Sequence, residues 1–243
     1  MNHFLRKQLL MGKVLKGVQL SEDWLQLLEI SLEYRSYNMG RITALLELPC
    51  DLGTLVVRDW ETEIADEKPL DVLRNYCFVH QLVQPELRTL PGGSVSLILS
   101  EFTLFQLNDW IWLNPLKIDS LHMQERRCLI QLANGLGLDV GISEKELLRL
   151  TNQAAYELAL RRGTGSGDLP PVDCLRIPAG SFGEVLRKQP LLSAWLGCPG
   201  SYLLPYHLQC PQELVWRKIL WEDVFMPALV SAWTDLVEAP AYV

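Results

Sequence analysis

The sequence lacks any uninterrupted run of about 20 apolar residues, which is the length that a membrane-spanning helix requires. Residues 1–16 also lack the apolar core and the small-residue cleavage site of a secretory signal. The six cysteines are widely spaced, whereas a disulfide-stabilised scaffold is smaller and denser in cysteine. We therefore expect a soluble, cytoplasmic protein with free thiols and no membrane span.

An excess of basic residues is also missing, since 22 Lys and Arg against 29 Asp and Glu give a net charge of −7. Proteins that hold nucleic acid through its phosphates usually present a basic field, so nucleic-acid binding is not expected of the chain as a whole. The N-terminal stretch is a local exception, because it contains Arg6, Lys7, Lys13 and Lys16 before the first acid at Glu22. A solvated helix face is the simpler interpretation, but a regulator that contacts nucleic acid through this helix stays open.

Recognisable catalytic motifs are missing as well. The glycine run Gly135–Gly141 has its third glycine one residue too late for a dinucleotide-binding loop, and it follows a predicted helix instead of a strand. The segment around Ser181 is similar to a loose nucleophile elbow. However, Ser181 with Glu184 forms a capping box, which is the simpler explanation. Nucleotide-loop and hydrolase chemistry are therefore not expected.

The patterns that are present indicate both helices and strands. Apolar residues at helical spacing predict helices over 3–16, 22–37, 70–83, 120–133 and 144–162. Ser21, Ser120 and Ser143 are expected to cap the second, fourth and fifth of these, and Ser143 forms a capping box with Glu146. Short apolar runs around Pro49 and Gly53 predict a hairpin of 41–48 with 54–59, and alternation predicts a strand over 94–101. We therefore predict an α+β, helix-rich fold with N-terminal helices, a small antiparallel sheet or hairpins, and a helical C-terminal part.

A Gly- and Pro-rich segment divides the chain. We predict an α+β main domain over 1–162, a linker over 163–171 and a mainly helical C-terminal subdomain over 172–243. Within the main domain, the acidic run 59–67 is expected to be a solvated loop. A docking site for a basic partner is the alternative interpretation of that run.

Two pairs of metal-ligand residues suggest a zinc site. Cys77 and His80 lie three residues apart on one predicted helix, and His207 and Cys210 repeat the pair in reverse order. If the two segments meet, they would form the two-Cys, two-His environment that zinc prefers. Buried thiols and hydrogen-bonded histidines explain the same residues. A metal-dependent enzyme with a dispersed site is therefore one hypothesis, with zinc as its cofactor.

Large apolar side chains suggest an interaction surface instead. Tryptophan and other large aromatic residues usually fill cores, but they also anchor interfaces. The candidate interface residues are Phe4, Leu5, Trp110, Trp112, Trp216, Trp221 and Trp233. In a strand, Trp110 and Trp112 would project from the same face.

Because catalytic motifs are scarce and such residues abundant, we predict a non-enzymatic adaptor, scaffold or chaperone-like subunit of a cytoplasmic assembly, with protein partners. In general character the chain resembles soluble accessory subunits of bacterial secretion or transfer machines, although no single motif carries that likeness.

Overall fold

The structure is a computed structural model that describes residues 3–17, 21–38, 40–82, 86–90, 94–99, 101–124, 127–165, 175 and 177–192. The helices are α1 (His3–Leu10), α2 (Glu22–Ile30), α3 (Pro69–Val79), α4 (Glu144–Gly165) and α5 (Ser181–Arg187). The strands are β1 (Val14–Lys16), β2 (Leu32–Glu33), β3 (Ile42–Glu47), β4 (Thr54–Arg58), β5 (Thr62–Ala65), β6 (Glu86–Thr89), β7 (Val95–Ile98), β8 (Thr103–Asn108), β9 (Ile111–Leu113), β10 (Ile118–Gln124), β11 (Arg127–Leu132) and β12 (Gly137–Asp139).

The strands of the described residues form two sheets. The large sheet has eight strands in the order β2-β5-β4-β3-β9-β8-β7-β6, and the small sheet has four in the order β1-β12-β11-β10. Among the described pairs, β1 with β12 and β2 with β5 are parallel and the others are antiparallel. The prediction of a helix-rich chain with only a small sheet is therefore wrong, because the described part is rich in β structure.

Both faces of the large sheet are covered over its central strands. On one face the first core packs against α2, α4 and the small sheet, and its buried members include Trp24, Phe105, Ile130 and Leu158. On the other face the second core packs against α3, and its members include Leu45, Val56 and Leu73. A strand that is buried on both sides is apolar at nearly every position, which explains the continuous apolar runs in β3 and β4.

Local capping signals correctly predicted two helix starts. The Oγ of Ser21 accepts a hydrogen bond from the Trp24 N–H at 3.4 Å at the start of α2. The Oγ of Ser143 accepts one from the Glu146 N–H at 3.2 Å at the start of α4. The predicted ends of α1 and α2 were wrong, because α1 stops at Leu10 and leads into β1, and α2 stops at Ile30.

The predicted helix over 120–133 is wrong, since the segment is the antiparallel hairpin of β10 and β11. Burial in β11 alternates with the period of a strand. Glu125 and Arg126 join the two strands in the sequence, and neither is a residue type that marks a turn. The glycine run that follows contributes the turn at Gly135, with a φ of +95°, and strand β12 instead of a helix end.

Helix α5 begins differently from its prediction. Gly180 is its N-cap residue, and Ser181 is the first helical residue and makes no capping hydrogen bond. Phe182 and Leu186 are buried in the first core, so this part of the predicted C-terminal subdomain packs against the main domain. Helix α4 continues to Gly165, into the predicted linker. Residues 166–174 and 193–243 lie outside the described residues, and the division into domains stays a prediction.

Candidate protein-interaction surface

Helix α1 turns apolar side chains outward. Leu5 and Leu9 lie one helical turn apart and are 51% and 40% exposed, and Phe4 beside them is 65% exposed. Met11, directly after the helix, is 58% exposed. We call the surface formed by these four residues the α1 surface. A surface helix normally buries its apolar stripe, so a cluster of this kind is typical of a binding site.

The inward side of α1 is held by one apolar and one charged side chain. Leu10 is buried in the first core. Arg6 is also buried, and its Nη1 donates a hydrogen bond to the Oε2 of Glu61 at 3.1 Å, in the turn between β4 and β5. The Nζ of Lys7 lies 4.9 Å from the centre of the Trp60 ring in the same turn, which is a cation–π distance. These contacts fix α1 against the β4–β5 hairpin.

A buried polar network supports that hairpin. The Nδ2 of Asn38 donates to the Oε1 of Glu61 at 2.5 Å and to the Oε1 of Glu63 at 2.8 Å. The Nε of Arg58 donates to the Oε2 of Glu63 at 3.0 Å, and its Nη1 donates to the Gly40 carbonyl. The side chains of Arg58 and Glu63 are only 1% and 0% exposed. We call these five residues the hairpin network.

Two aromatic rings complete the surroundings of the Arg58 guanidinium. Its central carbon lies 5.9 Å from the ring centre of Tyr34 and 5.8 Å from that of Tyr76. The buried Nη2 atom has no hydrogen-bond acceptor among the described residues, and both rings lie within cation–π distance of the guanidinium. Burial raises the pKa of Tyr34 to about 12, although the charge of Arg58 partly opposes this shift, so its phenol stays neutral beside the ion pair.

The prediction of a solvated loop over 59–67 is wrong. The segment contains β5, and Glu63 in that strand is fully buried. Asp59 accepts a hydrogen bond from the Nζ of Lys117 at 2.5 Å. The cations that neutralise this acidic run therefore come from the chain itself. The sequence does not reveal these two ion pairs, because Arg6 and Lys117 are each more than fifty residues from their partners.

The two central tryptophans of the predicted interface lie on opposite faces of the large sheet. Trp110 precedes β9 in a turn, and its ring centre lies 6.2 Å from that of Trp24, against the first core. Trp112 is in β9 and is buried in the second core. The Oδ1 of Asn108 accepts hydrogen bonds from the N–H groups of Trp110 and Ile111, which closes the turn. Trp216, Trp221 and Trp233 lie outside the described residues.

The structure describes half of the predicted zinc site. Cys77 is buried in the second core, and His80 follows the last turn of α3 with its ring centre 4.4 Å from that of Tyr76. His207 and Cys210 lie outside the described residues. Within the described ranges, no group of three or more His, Cys, Asp or Glu is placed to hold a metal ion. The zinc hypothesis stays a prediction.

The described cysteines should differ in their reactivity. Burial raises the pKa of Cys77 and of Cys128 to about 11, and neighbouring carboxylates add to the effect, whereas Cys50 is exposed. Because the thiolate is the nucleophile, we expect alkylation at pH 8 to label Cys50 about 100-fold faster than the other two. Peptide mass spectrometry over a time course measures the three rates, and unfolding in urea should make them similar. Equal rates in the folded protein would contradict this prediction.

None of the helices in the described part of the chain is long and apolar enough to cross a membrane. No protein-family model, curated protein or solved structure matches the chain significantly.

Proposed function

We propose that the protein is a non-enzymatic adaptor, scaffold or chaperone-like subunit of a cytoplasmic multiprotein assembly. It binds its protein partner through the α1 surface. The observation that carries this proposal is the outward position of Leu5, Leu9 and Met11 on a helix whose inward side is anchored by Arg6 and Leu10. Exposed apolar side chains that are held in fixed positions form the centre of many protein interfaces.

The charges around the α1 surface favour a particular kind of partner. Lys7 lies in α1, Lys13 follows it with its Nζ 3.9 Å from the Oδ1 of Asp23, and Lys16 is exposed in β1, opposite Asp139 of β12. No acid precedes Glu22 in the sequence, so the α1 segment itself contributes only positive charge. A partner segment that presents apolar side chains flanked by acidic residues matches this surface in both polarity and charge. We therefore propose an amphipathic segment with an acidic rim as the occupant.

The anchoring of α1 lowers the cost of binding. The Arg6–Glu61 ion pair and the Lys7–Trp60 contact hold the helix in place before a partner arrives. A helix that is ordered beforehand loses less conformational entropy on association. The hairpin network therefore positions the α1 surface without being part of it.

Reversing the polarity of the α1 surface should abolish partner binding. In the double variant Leu5→Glu/Leu9→Glu, we expect recovery of the co-purifying partner to fall about 10-fold or more, because two buried contacts become charged. The measurement is affinity purification of the full chain from its native cells under gentle lysis, with quantitative mass spectrometry. The matched control is Phe78→Glu, which changes an 84%-exposed residue of α3 across the large sheet.

Three results would contradict the proposal. The first is a native protein found only as a free monomer. The second is a partner that the Leu5→Glu/Leu9→Glu variant retains as well as the unaltered chain does. The third is binding of the purified protein to anionic phosphatidylglycerol vesicles that the double variant loses, because that result would assign the α1 surface to a membrane.

Two alternatives stay as predictions from the sequence. For a regulator that contacts nucleic acid, the structure shows Arg6 and Lys7 engaged with Glu61 and Trp60. Such binding is tested at low salt, where phosphate contacts are strongest. A metal-dependent enzyme is tested by metal analysis of protein that was purified without added zinc.

A further inference from the structure

Strand β6 forms one edge of the large sheet. Among the described residues it is hydrogen-bonded to β7 alone, in a continuous register that runs from Glu86 opposite Ile98 to Thr89 opposite Val95. All four of its side chains are exposed, and the strand has neither a bulge nor a proline. Bulges and prolines are common means by which proteins block strand edges. Short strands and charged side chains also protect edges, and β6 has only four residues and includes Glu86 and Arg88, so its edge accepts only a strand whose charges complement these two.

The hydrogen-bonding pattern shows which backbone groups face the free edge. The Leu90 N–H donates to the Ser94 carbonyl at 2.6 Å, just beyond β6. Hydrogen-bonded and non-hydrogen-bonded pairs alternate along an antiparallel ladder. Arg88 and Glu86 therefore bond towards β7, whereas Leu87 turns its N–H and its carbonyl away from β7, towards the free edge.

The side chains of β6 give this edge a different character on each face. On the α4 side, Arg88 donates to Glu86 at 2.8 Å and to Glu157 at 2.5 Å, and Arg161 donates to Glu86 at 3.0 Å. On the opposite face Leu87 is 53% exposed. The edge therefore presents charges of both signs on one face and an apolar side chain on the other.

We propose that β6 pairs with β6 of a second copy of this chain, antiparallel, about a two-fold axis at Leu87. The two Leu87 residues then face each other and exchange two backbone hydrogen bonds, while their side chains shield one another. On either side of the axis, Glu86 of one copy lies opposite Arg88 of the other, which is a favourable cross-strand pair. Moving the axis to Arg88 would place two arginines opposite each other, so charge selects the first register.

Isologous pairing of this kind is common in homodimers, because one self-complementary patch serves both copies. It would join two eight-stranded sheets into one continuous sheet, in which the β6 edge of each copy is covered by the other copy. The pairing does not involve the α1 surface. A dimer would therefore carry two α1 surfaces, which increases the avidity for a partner that has two binding segments.

The register is tested with two charge variants, Glu86→Arg and Arg88→Glu. Glu86→Arg puts two arginines opposite each other at both positions, and Arg88→Glu puts two glutamates there. We expect each variant alone to raise the dimer dissociation constant about 10-fold or more. Mixed in equal amounts, they should form a heterodimer, since every cross-strand pair is then of opposite charge. Sedimentation velocity over a roughly 100-fold concentration range, with one variant carrying a larger tag, measures both effects.

The mixing experiment distinguishes an effect on dimerisation from an effect on folding. Each variant has the same substitution whether it is alone or mixed, so a heterodimer that forms only in the mixture reports on the pairing of the two chains. Circular dichroism and thermal unfolding should first show that both variants are folded. Arg74→Glu, which changes an exposed arginine of α3, is the control and should dimerise normally, as should Leu5→Glu/Leu9→Glu. An unaltered chain that stays monomeric over the whole range would overturn the proposal. Unchanged dimerisation of either single variant, or a mixture that forms no heterodimer, would do so too.

Discussion

Replacement of Arg58 by methionine should destabilise the fold by about 3–5 kcal/mol, the usual cost of removing one partner from a buried ion pair. The carboxylate of Glu63 is fully buried, and its described hydrogen-bond donors are Arg58 and Asn38. Methionine retains most of the apolar length of arginine, so the loss arises mainly from the unpaired charge and not from a cavity. Equilibrium unfolding in urea measures the change in the free energy of unfolding.

Two further variants make this result specific. In Arg58→Met/Glu63→Leu no charge is left buried, so we expect the double variant to be more stable than Arg58→Met alone. Arg74→Met removes the exposed Arg74–Asp71 pair, whose side chains are 70% and 55% exposed. Its cost should be below about 1 kcal/mol. If Arg58→Met cost no more than Arg74→Met, the hairpin network would not stabilise the protein.

The network also connects stability to the proposed function. Asn38 and Glu61 belong to the same set of hydrogen bonds as Glu63, and Glu61 holds Arg6 of α1. Loss of Arg58 should therefore loosen the position of α1 even at temperatures where the variant is folded. Partner recovery is expected to fall in Arg58→Met and to be unchanged in Arg74→Met.

Elements with local signals could be predicted from the sequence. Ser21 and Ser143 cap their helices through hydrogen bonds to N–H groups three residues away, so the information lies within one turn. The hairpin of β3 and β4 follows from Pro49 and Gly53, which mark a turn between two apolar runs. Such features depend on neighbours in the chain.

The large sheet could not be predicted in this way because its assembly depends on distant pairings. Ala44 lies opposite Leu113, so β3 joins β9 across almost seventy residues, and no local pattern encodes that pairing. The helix predicted over 120–133 failed for a different reason: Glu125 and Arg126 interrupt its apolar pattern without marking a turn. Short apolar segments are ambiguous between helix and strand until their partners are known.

The candidate site was predicted only in part. Helical periodicity identifies Phe4 and Leu5 as one side of an amphipathic helix, but it does not reveal whether that side faces the core or the solvent. The orientation depends on Arg6, which is buried because Glu61 lies opposite it, fifty-five positions later in the chain. A charge on the inward side of a helix is costly without such a partner, which is why the sequence predicts a solvated position for Arg6.

Gly53→Ala should lower the free energy of unfolding by about 2–5 kcal/mol. Gly53 has a φ of +94°, a conformation that costs an L-residue roughly 1–2 kcal/mol. A Cβ atom there would also lie 2.0 Å from the carbonyl oxygen of Ala65, at the end of β5. Relief of that overlap requires a backbone shift, which adds about 1–3 kcal/mol. Urea unfolding measures the total.

Gly141→Ala separates the two causes. Gly141 has a φ of +66°, but a Cβ atom there would meet nothing within 4 Å, so only the conformational cost of about 1 kcal/mol applies. The two variants should also differ in partner binding. The backbone shift in Gly53→Ala displaces β5, which carries Glu63 and follows the turn that holds α1, whereas Gly141 lies beyond β12. Equal losses of unfolding free energy in the two variants would show that the added methyl group at position 53 does not press against β5. A loss of stability in Gly53→Ala without loss of partner binding would show that the position of β5 does not control the α1 surface.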